Sequence, residues 1–535
     1  MQGKQVWIKS RKNLLAQVKN QVLAIQGEDS SVDAYAKSYK KEFLGRWQKY
    51  GKQQFIAELV KYSVVLGGDF HAFSQSQRSH LRILREWPEQ KSLILALECF
   101  EAKHQKFIDQ YMNGDIQEDI FLEHCQWYEH WGFSWQQYKP LLEFAKERKI
   151  KVVGINKYYK KRYIQSLHKR DVYAAQQIVK LIKKYPSATI YTIYGDLHLA
   201  SNHLPQQIKE LNESKKIKVG IVFQNSEKLY FKLAQKNEES DVEILKGTKS
   251  RYCIMSSPPW VKWQSYLMFL EGSYDDDIEE DYENIDFTDH VAHLAQIIES
   301  DIGLKIKMDD LAVYTSEDFE VWRSIADKLN VKHRKLFQSS LTEERTFILP
   351  EYAFYYLSRI SINHCAHLAG FYIHKKVSNL SRCLWDMPND FLPLIWHESM
   401  AFFLSKFINH KRKAEKLKVI ESKLRLISPK DRGREALALV LDQRTDEWIY
   451  IKSGRHKKNP IHIKHMISYL QAARILGSVL GEKLYKSYTF GRISKKSLLK
   501  CLTKNLTDKD FKEFYYFMVK KIEAQSALDP ERVQL

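Results

Sequence analysis

Three residues in the first half of the sequence follow apolar runs and have side chains that can do chemistry: His71, Glu98 and His198. Imidazole and carboxylate groups bind zinc, manganese or iron, and such a site leaves positions open for water or a substrate. The same groups can also work without a metal, because a histidine beside a buried carboxylate can activate water. We therefore interpret the three residues as catalytic groups, as metal ligands, or as both.

Two of these histidines belong to a tetrapeptide that the chain uses twice. Gly-Asp-X-His occurs at residues 68–71 and again at residues 195–198, each time at the end of an apolar run. We expect the glycine to let the backbone turn sharply, so that Asp69 and Asp196 join the histidines and contact a cofactor. A plainer alternative is that the histidines cap the helices after the turns and that Glu98 binds backbone amides.

The elements that would position these residues alternate between short apolar runs and helical patterns. The runs cover residues 63–68, 92–97, 150–155, 189–194 and 218–223. This alternation predicts an α/β fold with a mainly parallel sheet flanked by helices. Since the carboxyl ends of parallel strands share one edge, the polar residues that follow the runs would converge on one crevice. Asn156, at the end of the third run, and Tyr158 join the candidate cofactor-binding residues, because a tyrosine can ligate the iron of a porphyrin.

An aromatic stripe at helical spacing lies between the second and third runs. It consists of Trp127, Trp131, Trp135 and Tyr138. The stripe is typical of the buried face of an amphipathic helix. The alternative is a wall for a flat apolar ligand above the crevice.

A chain of 535 residues is too long for one ordinary core. We predict N-terminal helices over 1–60 that pack on an α/β domain over 61–270, an acidic linker over 271–290, and a mostly helical domain over 291–535. The linker follows from eight acidic residues and no basic one within 274–286. Shorter apolar runs at 229–233, 242–245 and 252–255 predict further strands. In the helical half, His364, His367 and His374 lie on one predicted helix with no carboxylate in register, so we interpret them as core or interface residues. We discount His397-Glu398 as a metal site because it lacks the second histidine of a His-Glu-x-x-His motif.

Charge and composition exclude several classes of protein. The net charge of +20 attracts polyanions, but the lysines are spread over many helices and no nucleic-acid-binding motif is present, so we expect no specific nucleic acid partner. The sequence has no apolar stretch of the length that spans a membrane and no secretory signal. Six scattered cysteines without a Cys-x-x-Cys motif favour reduced core thiols. We therefore predict a cytoplasmic protein with a small-molecule ligand, and the helical half could bind a protein partner.

With these residues identified, the first half resembles the ChaN-like family of haem-binding uptake proteins, which is related to the Tiki and erythromycin-esterase superfamily. The resemblance covers about residues 60–225. It rests on the two Gly-Asp-X-His segments, Ala96-Leu-Glu98, Trp131 with Tyr138-Lys-Pro140, and the strand that ends at Asn156. The family usually has Gly-Glu-X-His at the first segment, so Asp69 shortens the reach of that carboxylate. The lipoprotein signal common in the family is also absent, which argues against haem uptake at a cell surface.

The resemblance implies an α/β fold with the paired turns at its functional edge. Relatives either bind haem or hydrolyse peptide or lactone bonds, and the Tiki branch does so with a metal. The first hypothesis is thus a ChaN-like protein that binds haem or a similar iron ligand, and the second is a metal-assisted hydrolase, so that the cofactor is haem or a divalent metal ion. The third is an interaction protein without catalytic activity.

Overall fold

Eight strands of the first half of the chain form one sheet in the computed structural model. The structure describes residues 2–27, 30–159, 164–211, 217–274, 287–316, 318–343, 345–359, 361–428, 431–459 and 461–526. The strands are β1 (Gln48–Lys49), β2 (Val64–Asp69), β3 (Leu93–Glu101), β4 (Lys151–Asn156), β5 (Thr189–Gly195), β6 (Val219–Gln224), β7 (Ile244–Lys246) and β8 (Arg251–Ile254). Their order in the sheet is β1-β7-β8-β6-β2-β5-β3-β4. The six strands from β8 to β4 run parallel, and β7 and β1 complete the sheet in antiparallel pairing.

Helices accompany this sheet along the chain. They are α1 (Gln2–Gln26), α2 (Ser30–Lys41), α3 (Lys52–Leu59), α4 (Ser74–Arg85), α5 (Gln105–Asn113), α6 (Glu118–His124), α7 (Trp135–Glu147), α8 (Ile164–Lys184), α9 (Leu204–Glu210), α10 (Glu227–Gln235) and α11 (Pro259–Tyr274). A π-helical turn at Trp127–Trp131 precedes α7. The core lies between sheet and helices, where Leu95 and Tyr191 of the strands belong to one cluster with Leu84 and Leu141 of the helices.

The five long strands confirm the pattern of apolar runs. Every residue of β2, β3 and β5 is buried, which is expected for parallel strands covered by helices on both faces. The α/β fold class and its mainly parallel sheet are therefore confirmed. The predicted strand at 229–233 is wrong, since these residues lie in α10.

The expected role of the glycines is also wrong. Gly67 and Gly68 lie within β2 and Gly195 is the last residue of β5. None of the three has a positive φ. A Cβ built at Gly67 would lie 2.4 Å from Cε1 of the buried His80. Gly67 is thus needed because a helix side chain approaches the strand closely, and no sharp turn requires it.

The second half is mostly helical, as predicted. Its helices are α12 (Thr288–Ile302), α13 (Phe319–Lys328), α14 (Val331–Thr342), α15 (Ile362–Val377), α16 (Phe391–Ile408), α17 (Leu417–Leu426), α18 (Arg432–Ser453), α19 (Met466–Thr489), α20 (Lys495–Thr503) and α21 (Phe511–Ser526). A small sheet has the order β10-β11-β9, from β9 (Val313–Tyr314), β10 (Phe347–Leu349) and β11 (Phe354–Tyr356). Sixteen of the 18 residues of α16 are buried, and this helix packs against α15 and α19.

The chain divides into two compact units, Met1–Tyr274 and Asp275–Leu535, which we call the α/β unit and the helical unit. Most of the predicted acidic linker, residues 275–286, lies outside the described residues. The finer predicted boundaries at 60, 270 and 290 stay predictions. All six cysteines are buried free thiols, as expected. Within the described ranges, each helix is too short or too polar to cross a membrane.

Candidate functional site

The two Gly-Asp-X-His segments lie side by side at one edge of the sheet. β2 and β5 are parallel neighbours, and Asp69 pairs with Gly195 in their register. β3 is the other neighbour of β5, with Leu97 opposite Ile193, so Glu98 follows at the same level. The carboxyl ends of these three strands therefore bring the two segments and Glu98 to one place.

Asp69 is a buried carboxylate that holds His71. Its Oδ2 lies 3.0 Å from His71 Nδ1 and accepts a hydrogen bond from Tyr138 Oη at 2.7 Å. Its Oδ1 accepts a hydrogen bond from Gln77 Nε2 at 2.6 Å. Burial alone would raise the pKa of Asp69, but the hydrogen bonds from His71 and Tyr138 bring it below its ordinary value. Burial alone would lower the pKa of His71. The interaction with Asp69 outweighs burial, so the pKa of His71 is raised.

His198 is held in the same way by a carboxylate from a helix. Asp171, on α8, is fully buried, and its Oδ1 lies 2.7 Å from His198 Nδ1. Its Oδ2 accepts a hydrogen bond from Tyr35 Oη at 2.8 Å. With a carboxylate at Nδ1, each imidazole is fixed as the tautomer that donates from this nitrogen. Both histidines therefore keep Nε2 for another group.

The three candidate catalytic residues meet around Gly195. A Cβ built at this glycine would lie 3.3 Å from each of three atoms: Glu98 Oε2, His71 Nε2 and His198 Cδ2. Glu98 Oε2 accepts a hydrogen bond from Gly195 N at 2.5 Å and lies 3.8 Å from His71 Nε2. The absence of a side chain at residue 195 thus leaves room for one carboxylate and two imidazoles at a single point.

The four candidate cofactor-binding residues are divided between this point and its surroundings. Asp69 supports His71, as described, whereas Asp196 Oδ2 is paired with Lys262 Nζ at 3.1 Å. Asn156 Oδ1 accepts a hydrogen bond from the amide of Lys157 at 2.8 Å. The amide of Tyr158 donates a hydrogen bond to Glu101 Oε2, at the end of β3, at 2.9 Å. The ring of Tyr158 stacks on His130, with ring centroids 4.0 Å apart. The hydrogen bonds and ion pairs described for Asp196, Asn156 and Tyr158 therefore lie with groups other than His71, Glu98 and His198.

The aromatic stripe packs mainly in the core, and one of its residues, Trp131, lies beside His71. Trp127, Trp135 and Tyr138 are buried in the core. Trp131 lies against His71, with ring centroids 4.5 Å apart. Phe133 also contacts His71, with ring centroids 5.1 Å apart. His71 keeps 23% of its side chain exposed. An imidazole that reaches solvent is thus bordered by aromatic rings.

The donor set fits haem better than a bare metal ion. Among the described residues, no group of three or more histidine, cysteine, aspartate or glutamate side chains is placed to hold a metal ion. A haem needs fewer protein ligands, because the porphyrin supplies four nitrogens and the protein adds an axial group such as a histidine. An exposed imidazole oriented by a buried carboxylate and bordered by Trp131 and Phe133 has the required chemistry.

Several residues of this site were not predicted from the sequence. Asp171, Tyr35, Gln77 and Lys262 come from helices that carry no recognisable motif. Asp171 lies 27 residues before its partner His198 in the sequence. Only its position on the buried face of a helical pattern could have drawn attention to it, and that signal is shared with many other residues.

Comparison with known proteins supports the resemblance over part of the chain. Residues 55–176 match the model of a family described as haem-binding uptake, Tiki superfamily, ChaN. No curated protein matches the chain. A solved structure titled "Cofacial heme binding to ChaN of Campylobacter jejuni" is 16% identical, with 34% of this chain and 88% of that chain covered and a TM-score of 0.25. Residues 55–176 are thus similar to this family model; the first Gly-Asp-X-His segment lies within the matched range and the second, at 195–198, lies beyond it.

Proposed function

We propose that the α/β unit binds haem at the carboxyl edge of β2 and β5, between the two Gly-Asp-X-His segments, with His71 as an iron ligand. The observation that carries this proposal is the imidazole of His71, which is partly exposed, hydrogen-bonded to Asp69 through Nδ1 and bordered by Trp131 and Phe133. The family matched by residues 55–176 is described as haem-binding, which supports the ligand class.

The residues around His71 have separate tasks in this proposal. Asp69 fixes the ring so that the Nε2 lone pair is available, and it increases the basicity of the ligand. Trp131 and Phe133 offer apolar faces to a flat macrocycle. When bound, haem supplies an iron whose chemistry depends on its axial ligand and on the polarity of its surroundings. Tyr158 and Asn156 are proposed as further contacts at the margin of the site, as is Asp196.

A titration with haemin tests the proposal. We expect a saturable shift of the Soret band in the full-length protein and a loss of affinity of at least about tenfold in His71→Ala, because an axial ligand is removed. Tyr158→Phe reports whether the phenol contributes. His124→Ala is the matched control, since His124 is exposed and stacks on Phe107 instead of meeting the site residues. Non-saturable adsorption, or equal affinities of wild type and His71→Ala, would contradict the proposal.

A second candidate is a metal-assisted hydrolase, although no described group of three such side chains is placed to hold an ion. One observation favours it: Glu98 Oε2 and His71 Nε2 both lie 3.3 Å from the same point at Gly195, where His198 presents its ring carbon Cδ2. A divalent metal held by these three residues would lower the pKa of bound water and polarise a carbonyl group. Glu98 would act as a carboxylate ligand, and Asp69 and Asp171 would orient the two imidazoles.

Elemental analysis separates the second candidate from the first. The protein would be incubated with zinc or manganese and then dialysed, and the metal content of wild type would be compared with that of the double variant His71→Ala/His198→Ala. A hydrolase of this type would lose its bound metal in the variant. Equal trace amounts in both proteins would show that the ligand assignment is wrong.

A further inference from the structure

The helical unit contains a pocket that is independent of the site at the sheet edge. Five polar residues line it, Ser340, Arg345, Arg382, His397 and Glu398, and its apolar lining includes Phe347, Phe371 and Trp385. The space among these residues is about 440 Å³ including its open mouth. Because this volume includes open solvent, the cavity itself is small and admits a group of a few heavy atoms.

The lining of this pocket carries a buried positive charge. Arg345 is 5% exposed and donates from Nη2 to the carbonyl of Leu470 at 2.6 Å. Burial lowers its pKa to about 10, so the guanidinium stays charged at neutral pH. Arg382 differs, because both of its terminal nitrogens lie 2.7 Å from the carboxylate of Asp390. Within the described ranges, no such ion pair engages Arg345.

Acidic groups near Arg345 are outnumbered by arginines. Glu398 accepts a hydrogen bond from His367 at 3.1 Å, and its charge interacts with Arg345, Arg474 and Arg412. The exposed Glu343 is the other acidic group that acts on Arg345. Counted over the described residues alone, three guanidinium groups interact with two carboxylates.

Two more polar atoms in the lining are buried without a partner among the described residues. They are Ser340 Oγ, on a residue that is 1% exposed, and His397 Nε2, on a residue that is 3% exposed. His397 Nδ1 is occupied, since it lies 2.7 Å from His374 Nδ1. Leaving such groups unpaired lowers stability, and a bound molecule would satisfy them.

We propose that this pocket binds a small organic carboxylate, with the carboxylate group on Arg345 and Ser340 and the hydrocarbon part against Phe347, Phe371 and Trp385. A guanidinium offers parallel N–H groups that match the two oxygens of a carboxylate. The hydroxyl of Ser340 supplies a further donor. The small cavity admits a carboxylate group, and apolar side chains of the same lining are available to the hydrocarbon part.

His397 would select among ligands in this pocket. Burial lowers its pKa to about 3, so the ring is neutral at physiological pH. A neutral imidazole adds no charge and offers one Nε2 contact, either to an oxygen of the carboxylate or to a hydroxyl on its neighbouring carbon. A dianion such as phosphate would need more donors than these residues supply.

The test uses the full-length protein and two probes of nearly equal shape, butyrate and butyramide. Saturation-transfer NMR detects contact with the protein, and calorimetry measures affinity. We expect saturable binding of butyrate and binding of butyramide that is weaker by at least about tenfold, because a charge-assisted hydrogen bond is replaced by a neutral one. Equal binding of the two probes would overturn the assignment of a carboxylate site, and so would the absence of saturable butyrate binding.

Two variants locate the probe. Ser340→Ala removes a hydroxyl that has no described partner, so the fold is preserved, and we expect butyrate affinity to fall by about tenfold. Ser399→Ala is the matched control: Ser399 is equally buried, but its hydroxyl donates to the carbonyl of Ile395 and it is not part of the lining. Arg345→Gln should abolish binding. If that variant does not fold, Ser340→Ala decides, and unchanged butyrate affinity in Ser340→Ala would refute the site. Haemin binding plays no part in these measurements.

Discussion

At the scale of residues, the candidate site is built from two histidines that are held alike by carboxylates of different origin. Asp69 comes from the same tetrapeptide as His71, whereas Asp171 comes from a helix. The convergence of His71, Glu98 and His198 could be predicted, because the two histidines follow parallel strands and Glu98 lies toward the carboxyl end of a third. Asp171 could not, since the packing of α8 on the sheet brings it there and no local pattern marks it.

Asp69 determines the protonation of His71, which gives a first prediction. In Asp69→Asn the pKa of His71 should fall, because the neutral amide removes the largest of the interactions that oppose burial, while Glu98 and Asp196 still act on the ring. NMR titration of labelled histidines measures this shift. His293 is an internal control, since burial already lowers its pKa and the interacting group resolved there is His290. A pKa of His71 in the variant that equals the pKa in wild type would contradict the prediction.

The same pair gives a dependence of stability on pH. Because the pKa of His71 is raised on folding, its contribution is fully present below pH 6.5 and is lost as the pH rises through the folded value. In Asp69→Asn this contribution becomes smaller, because the hydrogen bond and the charge of Asp69 are lost. We expect the variant to lose about 1–3 kcal/mol of the free energy of unfolding, with a larger loss at the acidic end of the range from about pH 5 to 8. Urea unfolding measures it, and an equal loss throughout would exclude this linkage.

At the scale of elements, the sequence predicts the buried strands and the helices between them, and it mistakes one short helix for a strand. β2 to β6 are continuous apolar runs, for which a parallel sheet is the ordinary context. Residues 229–233 are also a short apolar run, but they lie in α10, whose start is marked by Ser226 as N-cap with its side chain accepting from Leu229 N. α18 was not predicted, because its apolar residues are interrupted by charged ones. Periodicity alone does not separate a five-residue strand from a helix of similar length.

The contact between β2 and α4 gives a prediction at this scale. In Gly67→Ala the new methyl group would meet the ring of His80, which hydrogen bonds fix to Gly68 O and Tyr191 Oη. Since the ring cannot move away easily, we expect a loss of about 1–3 kcal/mol in the free energy of unfolding. Urea unfolding measures the loss. Gly45→Ala is the control, because a Cβ at Gly45 meets nothing within 4 Å.

A second variant tests whether His80 is the cause. Gly67→Ala should cost less in a His80→Ala background than in wild type, because the clash has been removed. An equal cost in both backgrounds would mean that the strand itself, and not the approach of the helix, requires glycine at residue 67.

At the scale of the whole molecule, the chain has two units with separate candidate sites. The haem site proposed here lies within Met1–Tyr274 and the carboxylate pocket within Asp275–Leu535. We predict that a chain ending at Tyr274 binds haemin with an affinity within about threefold of the full-length protein, because every residue proposed to contact haem belongs to that unit. Loss of haemin binding in a folded fragment, as judged by circular dichroism, would contradict the division. The cytoplasmic location and a protein partner of the helical unit stay predictions.

The order of strands in the sheet has a consequence for biosynthesis. β5 is inserted between β2 and β3, both of which precede it in the chain. Until about residue 198 has been synthesised, β2 and β3 have no partner between them, and each exposes an unpaired edge that invites aggregation. Gly195 and His198 arrive with the inserting strand. A ligand that binds at this edge would therefore bind only after β5 has paired with β2 and β3. If the ligand is present during synthesis, it would stabilise the complete sheet relative to the sheet that lacks β5.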